Sequence, residues 1–353
     1  MALRARRICE RCIDELELDL RGLTVYTEAA SGHYLYTPLL CALAGGDAVF
    51  ALARTSNFGR RDDVRRATVA LAREWGVAER VRVCFDKSPD DVSASDIITN
   101  TGFVRPIDAT MIGWMKPTAV VPLMWETWEA READVDFRAC RAKGILVLGT
   151  REDRAPHSLY PYGGFAALKL LFELGVEGYR TRVVLLGTGV MAASIDETFK
   201  RLGIQTDWFG AGDGAARPYE DLAPHWAAHG QDCDVLLLAE HTTPRQLVGS
   251  SGWLTVDDLV GVNRTVRVGV IAGQADFRRL RARGLWIVPE QPRPFGYMSF
   301  QPDVLGPKPV LELHAAGVKV GEAMARARLA GHSLEEAERI SLDTSPAMAF
   351  PAC

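Results

Sequence analysis

Gly187, Gly189 and Ala192 fall in the order Gly-x-Gly-x-x-Ala, directly after the apolar run Val183-Val184-Leu185-Leu186 and before a helix-forming stretch that closes at Gly203. The chemistry of that spacing is phosphate binding. The first glycine permits a tight turn, and the second lets the backbone approach a pyrophosphate with no Cβ in the way. The small third residue allows close packing of helix on strand. The helix N-terminus adds unpaired N–H groups and the positive end of its dipole. Thr188, Val190 and Met191 complete the turn. A dinucleotide site is the expectation, with NAD or NADP as cofactor. The next strand has no carboxylate at its end to take the adenosine ribose. Asp207 lies inside it and Asp213 a few residues beyond, while Arg217 would equally meet a 2′-phosphate. NAD and NADP both stay open.

Other residues have side chains suited to a substrate. If the substrate is an acid, an arginine gripping its carboxylate in a bidentate pair is expected, and Arg105 and Arg267 are the candidates. Trp125 and Glu126, in Trp125-Glu126-Thr127-Trp128-Glu129, follow a strand end and either line a pocket for an amine or aromatic group or pack between domains. Glu28 and His33 follow the first strand in the same way.

These residues need a scaffold, and the pattern of strands alternating with helices supplies one. Strands are expected at 23–27, 48–53, 81–84, 96–99, 119–123 and 145–148, then at 183–186, 204–209, 235–239, 266–271 and 285–288. Gly163-Gly164 precedes an apolar connector helix over 165–174, and Val310-Leu311-Glu312-Leu313 reads as a short strand with a turn at His314. The fold class is α/β, with two Rossmann-like domains on parallel sheets and a C-terminal helix returning to the first. The expected domains are 20–155 for substrate, 156–308 for the dinucleotide, and 309–353 packing back on the first.

Composition narrows the class. The net charge of −4 and pI near 6.0 argue against nucleic acid, for which a domain pI above about 9 is usual. No apolar run approaches the roughly 18–20 residues of a bilayer span, and the basic start Met-Ala-Leu-Arg-Ala-Arg-Arg leads into no apolar stretch of a secretory signal. The 7 cysteines make no disulfide framework, and Cys9 and Cys12 have no second pair to complete a zinc site. A cytoplasmic protein with no metal is expected. His225, His229 and His332 read as exposed.

The order of parts from Asp96 to Ala325 resembles the D-2-hydroxyacid dehydrogenase superfamily, whose architecture is shared with formate dehydrogenases and, more distantly, S-adenosylhomocysteine hydrolases. The segment Asp96 to Asp108, with Thr101 and Gly102, is similar to the family's substrate-domain loop, where backbone amides meet a substrate carboxylate. Glu240, His241 and Thr242 follow a strand that resembles the one ending beside the nicotinamide. Leu313-His314-Ala315-Ala316-Gly317 is similar to the family's Pro-His-Ile-Ala-Gly, which implies that His314 is the acid/base. A histidine near neutral pKa suits the proton that accompanies a hydride, and Glu290 is implied as its orienting partner. The resemblance also places Tyr160, Tyr162 and His157 near a hinge, with Tyr160 within reach of substrate, and implies a homodimer. The chain departs from the family at its arginine, whose position falls near Ile271, and Leu313 replaces the proline. What the resemblance implies is an NAD(P)-dependent oxidoreductase acting on a small 2-hydroxy or 2-oxo acid or an amino-acid-like metabolite. One alternative is a hydrolase or lyase that cycles bound NAD internally; another is a dinucleotide-binding protein without catalysis.

Overall fold

The computed structural model describes residues 2–154, 156, 158–211 and 216–351. The chain divides into two units, Met1–Leu159 with Gly306–Cys353, and Tyr160–Leu305.

The strands of the first unit are β1 (Thr24–Glu28), β2 (Ala48–Leu52), β3 (Val81–Cys84), β4 (Ile97–Ile98), β5 (Val120–Pro122) and β6 (Leu146–Thr150). They lie parallel in the order β6-β5-β4-β1-β2-β3, so the winding reverses between β1 and β4. In open α/β sheets, ligands bind at that switch point, outside the carboxyl ends of the strands. Helices cover the sheet, and its core includes Val25, Leu39, Leu40, Ile97, Val120 and Val318.

The second unit repeats this winding. Its strands are β7 (Arg182–Leu186), β8 (Gln205–Gly210), β9 (Arg217–Pro218), β10 (Val235–Ala239), β11 (Gln246–Val248), β12 (Arg267–Ala272), β13 (Gln274–Ala275) and β14 (Ile287–Val288). The main sheet runs β14-β12-β10-β7-β8-β9, and β11 pairs with β13 separately. Every side chain of β10 is buried, as expected of a parallel strand covered on both faces. The switch point lies between β7 and β10.

Two sequence expectations are corrected. The run Val310–Leu313 is not a strand with a turn at His314. It belongs to the helix Pro307–Leu329, which Pro307 opens at its first position. Four apolar residues cannot separate a buried strand from a buried helix, and the helical period here continues through Val318, Met324 and Ala325, all buried. This helix packs in the first unit against the helix Ala2–Leu16, which is absent from the expected elements although its buried residues Ala5, Ile8, Cys9, Cys12 and Leu16 recur at helical spacing; Arg11 reaches Glu312 at 3.3 Å. The last strand, β15 (Ala347–Met348), closes the first sheet antiparallel to β6. The second correction concerns Gly163 and Gly164. They lie inside the helix Tyr160–Glu173, where a Cβ on either would collide with Met191 or Thr198 of the helix Gly189–Arg201. They are there for close helix packing.

Candidate functional site

The Gly187–Gly189 turn leaves β7 at the switch point of the second unit and enters the helix Gly189–Arg201, with Thr188 as its N-cap. Gly187 cannot be anything larger: a Cβ there would stand 2.5 Å from the Ala239 carbonyl oxygen and 3.0 Å from the Ala192 Cβ. Gly189 differs, with φ at +80° and no heavy atom within 4 Å of a Cβ position. One glycine serves packing, and the other leaves open space at a helix N-terminus. That is the division of roles a pyrophosphate cradle requires. Val190, more than half exposed, and Met191 form the first turn of the helix. Trp208 Nε1 donates to the Gly187 carbonyl at 2.7 Å, which ties the turn to β8.

Glu240 follows β10 and is fully buried. Its carboxylate accepts from the Thr188 hydroxyl at 2.6 Å, from the Tyr219 hydroxyl, and from the backbone N–H and hydroxyl of Thr242 at 2.6 and 2.7 Å. Burial alone would raise its pKa, but these donors hold the carboxyl below its ordinary range. Glu240 therefore joins the turn after β7 to the loop after β10 as an ionised group. Tyr219 has no signal in the sequence, since only the fold brings it to β10. Glu240→Gln is expected to cost about 1.5–3 kcal/mol, because one amide cannot accept from all these donors. A urea midpoint left unchanged would refute this. His241 is partly buried, which lowers its pKa.

Asp213 and His157 lie outside the described residues. Asp207 is inside β8, 3.6 Å from Arg217 and 3.3 Å from His225 Nε2. This corrects the expectation of an exposed His225, whose side chain is 9% exposed. Arg217 is thus already engaged, by Asp207 and by His225 Nδ1 at 2.9 Å. Arg267 opens β12, donates to the Leu174 carbonyl and lies 5.4 Å from the Trp286 ring centroid. Glu290 is exposed, and its carbonyl accepts from Arg281. Tyr160 is the first residue of this unit, and its carbonyl accepts from Ser194 at 2.8 Å.

The remaining candidates gather in the first unit. His314 is buried within the helix Pro307–Leu329, its Nδ1 2.7 Å from Thr37 Oγ1 and its ring 5.8 Å from that of Tyr34. Burial pushes its pKa down to about 4, so the imidazole is neutral at physiological pH. Glu290, its expected partner, belongs to the other unit.

At the switch point of this unit, Glu28 ends β1 and is 4% exposed. Its Oε2 accepts the Phe103 backbone N–H at 2.8 Å and would lie 3.0 Å from a Cβ on Gly102. Burial raises its pKa, with the Phe103 amide and the Arg105 charge opposing. Thr101 is buried, with its hydroxyl 3.0 Å from that of Thr99. Arg105 donates to Asp134 at 3.1 Å and lies 4.9 Å from the Trp125 ring centroid. Glu126 is buried and accepts from Trp128 Nε1 at 2.7 Å and from the Glu152 N–H at 3.1 Å. Burial and the Glu126 charge push neighbouring Glu129 up to about 7. Among the described residues no group of His, Cys, Asp and Glu side chains is placed to hold a metal ion. Cys9 and Cys12 are free and buried in the core, with their thiols shifted upward by burial. No described helix is long and apolar enough to cross a membrane.

Neither protein-family models nor curated proteins match the sequence. Solved structures do. Dipicolinate synthase A chain from Bacillus subtilis is 13% identical with a TM-score of 0.56, over 88% of this chain and 99% of that one. The A subunit from Bacillus halodurans is 14% identical with a TM-score of 0.54, over the same shares. The likeness is one of fold. Transhydrogenase from Sinorhizobium meliloti is 15% identical with a TM-score of 0.50, over 89% of this chain and 97% of that one. Proteins described as 2-hydroxyacid dehydrogenases also match, at TM-scores of 0.47. The fold is the expected one: α/β, with two Rossmann-like units on parallel sheets.

Proposed function

We propose that this chain is an NAD(P)-dependent oxidoreductase, with the dinucleotide held by the unit Tyr160–Leu305. One observation carries the reading. The glycine turn sits at the switch point of a sheet wound in the dinucleotide-binding order, and Gly187 has no room for a Cβ while Gly189 faces open space. Gly187, Thr188, Gly189, Val190 and Met191 would hold the pyrophosphate, with Glu240 and Thr242 positioning the turn beside it. The cofactor supplies hydride chemistry when bound. The substrate is a small polar metabolite, a 2-hydroxy or 2-oxo acid or an amino-acid-like molecule. A homodimer is part of this reading through the resemblance alone.

A second reading, a dinucleotide-binding protein without catalysis, is favoured by the place of His314, buried in mid-helix with one ring nitrogen on Thr37. Mass spectrometry of the nucleotide that survives purification, with fluorescence titration of NADH and NADPH, tests both. Exchangeable micromolar binding of one cofactor is the expected result and identifies which. Tight NAD that does not exchange would point to internal redox cycling. Binding of neither would overturn the proposal.

A further inference from the structure

Both arginines first considered for gripping a substrate carboxylate already have partners. Arg105 is held by Asp134 at 3.1 Å, and Arg267, in the other unit, donates to the Leu174 carbonyl. The first unit has a different cation at its strand ends. Arg54 lies just past β2, where the Ala53 N–H still donates to the Cys84 carbonyl of β3 at 2.8 Å. Arg54 is half-buried, and among the described residues its guanidinium has neither a hydrogen bond nor an ion pair. Its charge acts inward on the hydroxyl of Tyr26, which is fully buried on β1, and also on the Lys87 ammonium beyond β3. The nearby carboxylates are engaged elsewhere. Asp91 pairs with Arg82 at 3.2 Å, and Asp108 accepts the Met111 N–H at 2.8 Å. Charges drawn into a protein are normally paired, and Arg54 is not.

Lys87 adds a second cation. Its Nζ donates to the Pro106 carbonyl at 2.5 Å, so a side chain from beyond β3 meets the loop that follows β4. In the sheet order β4-β1-β2-β3 that contact bridges across the ends of β1 and β2, and Arg54 follows one of those two ends. Burial, and then the Arg54 charge, push the Lys87 ammonium below its ordinary range, with Asp108 opposing. One of the three ammonium donors is used by Pro106, which leaves the others for a ligand. Two cations that repel each other are relieved by an anion that meets both.

We propose that Arg54, assisted by Lys87, holds the carboxylate of a small acid at the carboxyl ends of β2 and β3, one strand from the switch point where open α/β sheets take their ligands. The proposal rests on the reading above for the substrate being an acid, and deepens it by assigning the residue that grips the carboxylate. The guanidinium fork takes both carboxylate oxygens, and the ammonium adds charge and a donor. A neutral amide of the same shape offers one acceptor and no charge to either group.

The test is NMR of the full chain with ¹⁵N-labelled arginine and assigned side-chain Nε–H resonances, titrated in physiological salt with glycolate and with glycolamide. These two share a shape and differ in whether the end group is an anion or a neutral amide. No dinucleotide is added, so failure here leaves the dinucleotide site standing, and loss of that site leaves this result intact. Glycolate is expected to shift the Arg54 resonance saturably, to leave those of Arg105 and Arg267 in place, and to bind at least about tenfold more tightly than glycolamide. Arg54→Lys keeps the charge and loses the fork, and should weaken glycolate about tenfold, with a smaller loss in Lys87→Met. The proposal fails if glycolate moves Arg105 or Arg267 in place of Arg54, if it moves none of the three, or if glycolamide binds as tightly. Those arms all use the unmodified chain, so the test stands even if a variant does not fold.

Discussion

Gly187→Ala is expected to lower dinucleotide affinity by at least about tenfold and to destabilise the chain by about 1–3 kcal/mol. The added Cβ would meet the backbone of Ala239 at 2.5 Å to its oxygen and 2.9 Å to its carbonyl carbon. Backbone at the centre of a parallel sheet has little room to give way. The turn would move instead, and the turn holds the helix N-terminus that would face the phosphates. Its surroundings are tight on the other flank as well, because a Cβ on Gly210 of β8 would collide with the Gly187 oxygen. Gly189→Ala is the informative contrast. Its Cβ meets nothing within 4 Å, so only the cost of φ at +80° remains, about 1–2 kcal/mol for a non-glycine residue in that region. NADH fluorescence titration and urea midpoints on both variants separate packing from ligand approach. Wild-type affinity in Gly187→Ala would show that the turn is structural only.

Stability is expected to fall by about 3 kcal/mol between pH 6.5 and pH 4 through His314 alone. The folded chain holds this imidazole neutral, with a pKa near 4 against the ordinary 6.5. In that window the unfolded chain takes up a proton that the folded chain refuses, so acid favours unfolding. The contribution is fully present above pH 6.5 and lost progressively as pH falls toward 4. His314→Leu removes the titration and keeps the site apolar, although it leaves the Thr37 hydroxyl without its 2.7 Å partner. The variant should therefore be less stable than the parent at pH 7 and lose less on acidification. His225 and His241 also have lowered pKa values, and Glu240 loses its advantage only as pH falls below the ordinary carboxylate range. Those groups are common to both proteins and cancel in the comparison. Equal pH slopes for the two would sink the assignment.

Much of the second unit was legible because its signals are local. A strand, a Gly-x-Gly-x-x-Ala turn and a helix occupy consecutive residues, and the steric needs of the turn are met within that stretch. Alternation of strands and helices likewise carried the parallel α/β class. Short apolar runs carried less, which is why Val310–Leu313 reads as a strand when taken alone and proves to be helix.

The amino-acid sequence by itself determined the dinucleotide-type turn, the parallel sheets and the doubled architecture, all products of short-range backbone and periodicity rules. Tertiary structure decided which side chains stand together. Glu28 meets Phe103 across 75 residues and His314 meets Thr37 across 277, distances over which spacing carries no information. Glu240 reads as a cofactor contact beside its own loop, and only the meeting of β7 with β10 makes it the buried acceptor for Thr188 and Tyr219. Asn100 is one polar residue among several until its oxygen accepts from the Met124 N–H and its nitrogen is left with no partner among the described residues. Burial and partnership set the charge and reach of each of these groups, and both are properties of the folded chain.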